Sequence, residues 1–190
     1  MKAARNAISL SLDNVPNAAG KSEAQISDFT DRSGVFVTIN SYPKGDLRGC
    51  IGFPQASGRL CRLLVNAAIY AATEDPRFPP LDRSELDTVT VDVNILSALE
   101  LLHGSDEELV ESVVVGKHGL VIASADSRGL LLPSVAKEQG WDAREFLQGV
   151  CEKAGLRSDA WADGGARLYR FSTQEFRELE PNGRVIEVKP

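Results

Sequence analysis

The sequence predicts an α+β fold in which helices flank an antiparallel sheet. Strand-like and helix-like segments follow one another without the regular strand–helix–strand alternation that parallel sheets need. Short turns containing glycine and proline join neighbouring strand-like runs, a pattern typical of hairpins. The chain has 190 residues, of which 43% are hydrophobic. This length suits one domain, or two small lobes that share a core, without disulfide or metal support.

The first part of the chain predicts a helix followed by a hairpin. The segment AARNAISLSL predicts a helix within an N-terminal helical segment, residues 1–30. In GVFVTIN (Gly34–Asn40) valine and isoleucine alternate with Phe36 and Thr38, which predicts a strand. The turn SYPKGD then leads into LRGCIG (Leu47–Gly52), a second extended segment that we expect to pair with the first.

The middle of the chain predicts one helix and one strand. RLCRLLVNAAIYAAT (Arg59–Thr73) carries leucine and alanine at helical spacing, so we expect it to pack against the sheet. Pro76 disfavours helical geometry at the preceding residue and ends this helix. TVTVDVNIL (Thr88–Leu96) alternates apolar and polar residues, as strands of antiparallel sheets do. We expect the polar residues of this strand to face water: Thr90, Asp92 and Asn94.

The last part predicts a charged linker, HGSDEE, followed by short strands and one helix. Asp142 is the expected helix N-cap, because Glu145 follows three residues later as in a capping box. Gly155 is the expected end of that helix. The expected strands are Ser112–Val115, Leu120–Ser124, Leu130–Pro133, Arg167–Phe171 and Val185–Val188.

Charge and cysteine content exclude several classes of function. The net charge is −6 and the pI is about 5.0, which argues against nucleic-acid binding. No apolar run approaches the roughly 20 residues of a membrane span, and the N-terminus lacks a secretory signal, so we expect a cytoplasmic protein. The three cysteines form no C-x-x-C pair. We therefore expect free thiols and predict no metal site and no cofactor.

The segment LRGCIG is the first candidate site, because it places a cysteine in a glycine-rich frame. In an extended strand Arg48, Cys50 and Gly52 share one face. A guanidinium beside a thiol favours the thiolate, which is the nucleophilic form. Gly49 and Gly52 carry no side chain, so a ligand or another backbone can approach there. The alternative is that Cys50 is a small hydrophobic residue in a tightly packed strand.

Three further residues outside this segment are candidates. His118 stands in the glycine-flanked turn GKHG, where an imidazole can act as a base and form a Cys–His pair with Cys50. Asp75 and Arg77, in EDPRFPP, can orient a substrate. Each also has a structural interpretation: His118 as a surface turn residue, and Asp75 with Arg77 as contacts that close the helix end.

Taken together, the motifs occur in an order that resembles one known family. GVFVTI, LRGCIG, DPRF, V-x-V-x-IL, GKHGL, LLLP, W----FL---C-KAGL and a final YRF follow one another between residues 34 and 171. This series resembles the AMMECR domain, whose signature hexapeptide is LRGCIG. The resemblance implies one domain over residues 1–190 built of two lobes, with the signature in or near a cleft between them. Residues 1–30 depart most from the family pattern.

The resemblance also implies site residues and partners, but no particular reaction. Prokaryotic members accompany a Memo-like protein and a radical S-adenosylmethionine protein. Two hypotheses follow: an enzyme acting on a small or modified substrate, with Cys50 as nucleophile and His118 as proton carrier, or a non-catalytic module that binds such a partner. The residues that match family motifs are Arg48, Gly49, Cys50, Gly52, Asp75, Arg77 and His118.

Overall fold

An antiparallel sheet flanked by helices forms the framework of the protein, so the predicted α+β class is confirmed. The computed structural model describes residues 1–29, 31, 33–54 and 58–188. The chain divides into two units. The first unit comprises Met1–Leu96 and the C-terminal segment from Gln174, and the second comprises Ser97–Thr173. The cleft implied by the family resemblance stays a prediction.

Helices and strands follow one another along the chain without a repeating unit. In chain order they are α1 (Lys2–Leu12), α2 (Ala18–Ala24), β1 (Val35–Ser41), β2 (Leu47–Phe53), α3 (Leu60–Thr73), a 3₁₀ helix (Arg83–Thr88), β3 (Val89–Leu96), β4 (Glu100–Leu101), α4 (Asp106–Glu111), β5 (His118–Ala123), β6 (Arg128–Leu131), α5 (Pro133–Gln139), α6 (Ala143–Lys153), β7 (Arg167–Glu178) and β8 (Val185–Val188). Residues 167–173 of β7 belong to the second unit, and residues 174–178 belong to the first.

The sheet of the first unit runs in the order β2-β1-β3-β7, and β8 pairs with β7. Helices α1 and α3 lie on one face of this sheet, where they bury its apolar side chains. In α3 the predicted stripe is buried and includes Ala67, Ala68 and Ala71, whose small side chains let the helix lie close to the strands. The other face of the sheet carries the polar residues of β1 and β3.

A buried ion pair fixes α1 to the end of β7. The guanidinium of Arg5 donates to both carboxylate oxygens of Glu178, and the two side chains are only 8% and 3% exposed. Arg5 also donates to the backbone carbonyls of Leu86 and Val89, and Glu178 accepts from the N–H of Val91. Every charged group of the pair is therefore hydrogen-bonded, as burial of charge requires.

The second unit has its own core. Strands β4 and β5 pair with β7, and β6 pairs with β5. The apolar face of α6 packs in this core through Phe146, Leu147 and Val150. The predicted capping box at its start is confirmed, since Asp142 accepts from the N–H of Glu145 and the Glu145 side chain accepts from the N–H of Asp142.

Some sequence predictions for the second unit are wrong. The segment Ser112–Val115 is not a strand, and the expected charged linker contains helix α4. The reason is a capping box in which Ser105 and Glu108 satisfy each other's backbone N–H groups and start the helix. The expected strand Arg167–Phe171 is the beginning of the much longer strand β7.

The polar residues of β3 are also placed differently from the prediction. Thr90, Asp92 and Asn94 are 8%, 6% and 9% exposed, so the face that we expected to be wet is buried. Of the three, Asp92 accepts from Asn40 of β1 and from Arg177 of β7. We refer to the sheet surface that carries Thr38, Asn40, Cys50, Thr90, Asp92 and Asn94 as the polar face.

Candidate functional site

Cys50 lies in the middle of β2, on the polar face. Its partner across the strands is Thr38 of β1, whose hydroxyl donates to Sγ of Cys50 at 3.3 Å. Cys50 is partly buried, whereas Cys61 and Cys151 are buried in the first and second units respectively. Cys50 is therefore the cysteine best placed to meet a dissolved reagent or substrate.

Asp75 fixes the backbone of Cys50 from one side. This residue lies just beyond the end of α3, and its carboxylate accepts the N–H of Cys50 at 2.8 Å. Its side chain is only 3% exposed. The carboxylate also accepts from Nε and Nη2 of Arg77, and these hydrogen bonds hold the pKa of Asp75 well below its usual range. Asp75 is consequently a charged, buried acceptor at neutral pH.

Arg77 binds the other polar group of the Cys50 backbone, its carbonyl. Its Nη2 donates to the carbonyl oxygen of Cys50 at 3.3 Å, and its side chain is 54% exposed. The ion pair with Asp75 is thus anchored on both polar groups of the Cys50 backbone. Three of the predicted site residues, Cys50, Asp75 and Arg77, come together here, and the DPR sequence after α3 supplies two of them.

Arg48 lies two residues before Cys50 on the same strand but is occupied by other groups. Its Nε and Nη2 donate to the two carboxylate oxygens of Glu85, and Nη1 donates to the carbonyl of Pro79 at 2.9 Å. This guanidinium lowers the pKa of Glu85. The positive charge of Arg48 is therefore neutralised by a bidentate partner, and its predicted influence on the Cys50 thiol stays a prediction.

The two glycines of the motif are explained by close packing. A Cβ on Gly49 would overlap the carbonyl oxygen of Ala71, so β2 touches the backbone of α3 at this point. A Cβ on Gly52 would overlap the ring of Phe36, the residue paired with it on β1. Glycine at both positions lets the strand approach its neighbours, and a ligand-binding role for either stays a prediction.

His118 begins β5 in the second unit. Its Nδ1 accepts from the backbone N–H of Val114 at 3.1 Å, which leaves Nε2 as the protonated nitrogen of the neutral ring. Burial lowers the pKa of His118, and the nearby charges of Arg170 and Lys117 lower it further. The imidazole is therefore neutral at pH 7 and can act as a base or as an Nε2–H donor. The expected Cys–His pair with Cys50 stays a prediction.

Asp92 is the residue that the sequence analysis missed. Its Oδ2 accepts from Asn40 and Arg177, both at 3.2 Å. Within the described residues its Oδ1 has no hydrogen-bond partner, although the atom is buried. Burial raises the pKa of Asp92 to about 6, against the opposing effect of Arg177. The available signal was that β1 and β3 both carry polar residues at alternate positions. Directly paired residues of neighbouring strands project from the same face, so these polar side chains could have been expected to meet.

The arrangement brings a thiol, a hydroxyl and a carboxyl group into one row across three strands. A thiol that accepts a hydrogen bond is stabilised in its thiolate form. A carboxyl group with a raised pKa can take up and return protons near neutral pH. Among the described residues, no three His, Cys, Asp or Glu side chains are grouped so that they could hold a metal ion. No described helix combines the length and apolar character that a membrane span requires.

Comparisons with known proteins identify the family. The AMMECR1 family model matches residues 1–176. Protein MJ0810 of Methanocaldococcus jannaschii is 46% identical over 162 residues, which cover 85% of this chain and 81% of that protein. A protein of Thermofilum pendens is 48% identical over 166 residues, covering 83% and 78%. The crystal structure of the uncharacterized protein PH0010 from Pyrococcus horikoshii matches with a TM-score of 0.87 and 37% identity, covering all of this chain and 94% of that one. The predicted resemblance is thereby confirmed, and the chain belongs to the AMMECR1 family.

Proposed function

We propose that the polar face carries the active site of an enzyme in which Cys50 is the nucleophile. The substrate is a small molecule with an electrophilic carbon, such as a carbonyl carbon, which the sulfur attacks to form a covalent intermediate. One observation carries the proposal. Cys50 is partly accessible, its sulfur accepts a hydrogen bond from Thr38, and its peptide is held by Asp75 and Arg77.

The supporting contacts favour catalysis because they immobilise the backbone that carries the thiol. A nucleophile must be held within about 0.5 Å of its productive position, and sites on strands are more rigid than sites on loops. Asp75 binds the N–H of Cys50 while Arg77 binds its carbonyl. The ion pair on its backbone, of which Asp75 is buried and Arg77 is half exposed, supports a role for Cys50 beyond filling space in a core.

The remaining predicted residues enter the proposal with defined roles. His118 is the candidate proton carrier from the second unit, and its neutral ring suits that task. Arg48 is held by Glu85 and Pro79, so we assign it to the support of β2 next to the nucleophile. Gly49 and Gly52 keep that strand close to α3 and β1.

The alkylation rate of each cysteine against pH tests this function. Native protein is treated with iodoacetamide, and each site is read by mass spectrometry. We expect Cys50 to react well below the ordinary thiol pKa of about 8.5. Cys61 and Cys151 are the internal controls, and we expect them to stay unmodified until the protein unfolds. If Cys50 also reacts only when the protein unfolds, its proposed role as nucleophile is refuted.

His118→Ala tests the candidate proton carrier of the second unit. If the imidazole serves Cys50, the variant lowers the Cys50 alkylation rate at pH 7 and changes its pH profile. His103→Ala is the matched control, because His103 is the other histidine of the chain. An unchanged profile in His118→Ala removes this residue from the proposal and leaves Cys50 in it.

A second candidate function, a partner-binding module, is favoured by the exposed residues beside the motif. Tyr42 and Leu47 flank the turn that enters β2 and are 44% and 41% exposed. Large apolar side chains at such a turn suit contact with another protein, such as a Memo-like or radical S-adenosylmethionine protein. In a pull-down with either protein, Leu47→Asp should abolish binding while Cys50→Ser retains it. Binding that survives Leu47→Asp counts against this module.

A further inference from the structure

Strand β1 places one hydroxyl group between the two reactive groups of the polar face. Thr38 pairs with Cys50 of β2 on one side and with Asp92 of β3 on the other. Directly paired residues of antiparallel strands project from the same face. The three side chains therefore form a row in the order Cys50, Thr38, Asp92, perpendicular to the strands.

The spacing of the row excludes direct contact between its ends and allows contact through the middle. Neighbouring strands lie about 4.8 Å apart, so the Cα atoms of Cys50 and Asp92 are separated by about 10 Å. The Cβ atoms of directly paired residues are only about 5 Å apart. The Thr38 hydroxyl lies 3.3 Å from Sγ of Cys50 and makes no hydrogen bond to Asp92 within the described residues, so transfer to Oδ1 requires a rotation of one of the two side chains across this short gap.

The carboxyl group of Asp92 has a free acceptor at this position. Oδ2 is engaged by Asn40 and Arg177, whereas Oδ1 is buried and has no partner in the described part of the chain. A buried acceptor without a partner is costly, and one at a functional site indicates a ligand, a water molecule or a proton that occupies it during the reaction. The charged groups that act on Asp92 are Arg177, Glu175 and Glu178, all on β7.

We infer that Asp92 takes up the proton of the Cys50 thiol through the hydroxyl of Thr38. The inference rests on the proposed function of Cys50. Hydroxyl and thiol groups both donate and accept, so the contact between Thr38 and Cys50 can run in either direction. In the step, the S–H bond breaks and its proton passes to Oγ1 of Thr38. The former Thr38 proton passes to Oδ1 of Asp92. The sulfur electron pair forms the bond to the carbonyl carbon, and the π electrons of the C=O bond move onto the oxygen; when they return, the leaving group departs with its bonding pair.

The raised pKa of Asp92, about 6, fits this task, because the carboxylate form prevails at neutral pH and the acid form remains accessible. The protonated carboxyl group can then return the proton to the leaving group. Asp92 thus acts on the nucleophile through Thr38, which itself contacts the sulfur. Transfer through Thr38 and the role proposed for His118 are alternative routes for the same proton, and the variants at Asp92 and His118 distinguish them.

The pH profile of Cys50 alkylation in four variants tests the inference. With iodoacetamide, the proton goes to Asp92 and iodide leaves with its electron pair. In the unsubstituted protein we expect the rate to rise near pH 6, as Asp92 ionises. Asp92→Asn and Thr38→Val should lose the rise near pH 6 and react at least about tenfold more slowly at pH 7. Thr38→Ser keeps the hydroxyl and should keep the rise near pH 6.

Thr88→Val is the matched control, because it makes the same isosteric change at an exposed threonine outside the polar face. It should leave the profile unchanged. Retention of the rise near pH 6 in Asp92→Asn overturns the inference and leaves the nucleophile standing. Lack of Cys50 reactivity in the unsubstituted protein overturns both. Circular dichroism and the urea midpoint of each variant show whether a changed profile arises from unfolding.

Discussion

The carboxylate of Asp75 accepts the backbone N–H of Cys50 at 2.8 Å, and this one hydrogen bond joins the end of α3 to the middle of β2. The acceptor comes from a loop and the donor from a strand 25 residues earlier in the chain. Because a side chain serves the N–H of Cys50, this edge of the sheet needs no further strand there. The bond should therefore contribute to stability in a way that depends on the charge of Asp75.

Asp75→Asn should lower the free energy of unfolding at pH 7 by about 1–3 kcal/mol, because the buried N–H of Cys50 and the Arg77 guanidinium lose a charged acceptor. The pKa of Asp75 is depressed in the folded state, so its contribution is present above the unfolded pKa of about 3.9 and is lost as the pH falls below it. The difference in unfolding free energy between the unsubstituted protein and Asp75→Asn should therefore be smaller at pH 3 than at pH 7. Urea unfolding at the two pH values measures it.

The control for this prediction is Asp159→Asn. Asp159 also pairs with an arginine two residues away, but both side chains are largely exposed, at 62% and 74%. We expect no measurable change in its unfolding midpoint. If Asp75→Asn behaves like Asp159→Asn, the bond to Cys50 contributes nothing to the fold.

Asp92→Asn should have the opposite dependence on pH. The folded pKa of about 6 lies above the unfolded value of about 3.9, so the folded state binds the proton more tightly. This contribution is fully present below about pH 4 and is lost as the pH rises through 6. The variant cannot ionise and should gain stability relative to the unsubstituted protein between pH 4 and 7, by about 2–3 kcal/mol. Thermal unfolding across this range measures the gain, and a constant difference contradicts the raised pKa.

Arg5→Ala should destabilise the first unit by about 3–5 kcal/mol, because it leaves the carboxylate of Glu178 buried without its partner. The double variant Arg5→Met with Glu178→Leu should recover only part of the loss. It removes both charges, but the N–H of Val91 then lacks its acceptor. Urea unfolding of the unsubstituted protein, Arg5→Ala and the double variant measures these changes in unfolding free energy.

The exposed pair of Arg83 and Asp13, with side chains 49% and 43% exposed, provides the comparison for the buried pair. Arg83→Ala should cost under about 1 kcal/mol. A double variant at Arg5 and Glu178 as unstable as Arg5→Ala alone would mean that the loss comes from packing and not from the unpaired charge.

Gly49→Ala should destabilise the protein by about 1–3 kcal/mol, because the new methyl group meets the carbonyl oxygen of Ala71 and separates β2 from α3. Gly58→Ala is the matched control, since the nearest atom to its Cβ is 3.7 Å away, in the Leu63 side chain. Thermal unfolding should show a lower midpoint for Gly49→Ala only. Equal midpoints would show that the strand and helix can separate without cost.

Local patterns in the sequence predicted most elements of the first unit. The predicted helix Arg59–Thr73 is observed as Leu60–Thr73, and the predicted strand Thr88–Leu96 is observed as Val89–Leu96. Both have strong periodicity and clear ends. The short helices α2, α4 and α5 were missed, because each has at most 7 residues and too few turns to show a helical period.

The candidate site was predictable only in part, for a physical reason. The sequence identified Cys50, Asp75 and Arg77 as candidates. It did not show that the side chains of Asp75 and Arg77 bind the backbone of Cys50. Asp92 was assigned to a wet face, because a strand with alternating polar residues usually has one. Asp92 instead pairs with Arg177, which lies 85 residues further along the chain. Such a long-range pairing leaves no trace in local periodicity.

The ion pair of Arg5 and Glu178 joins residues that are 173 positions apart, and this separation affects the order of events during biosynthesis. The arginine leaves the ribosome long before its carboxylate partner has been translated. Until then a cationic side chain has no buried counterion, so α1 cannot settle on the nascent sheet. We therefore expect stable docking of the first helix to wait for one of the last strands, so that nascent chains stalled before Glu178 are cut by protease faster than chains stalled after it.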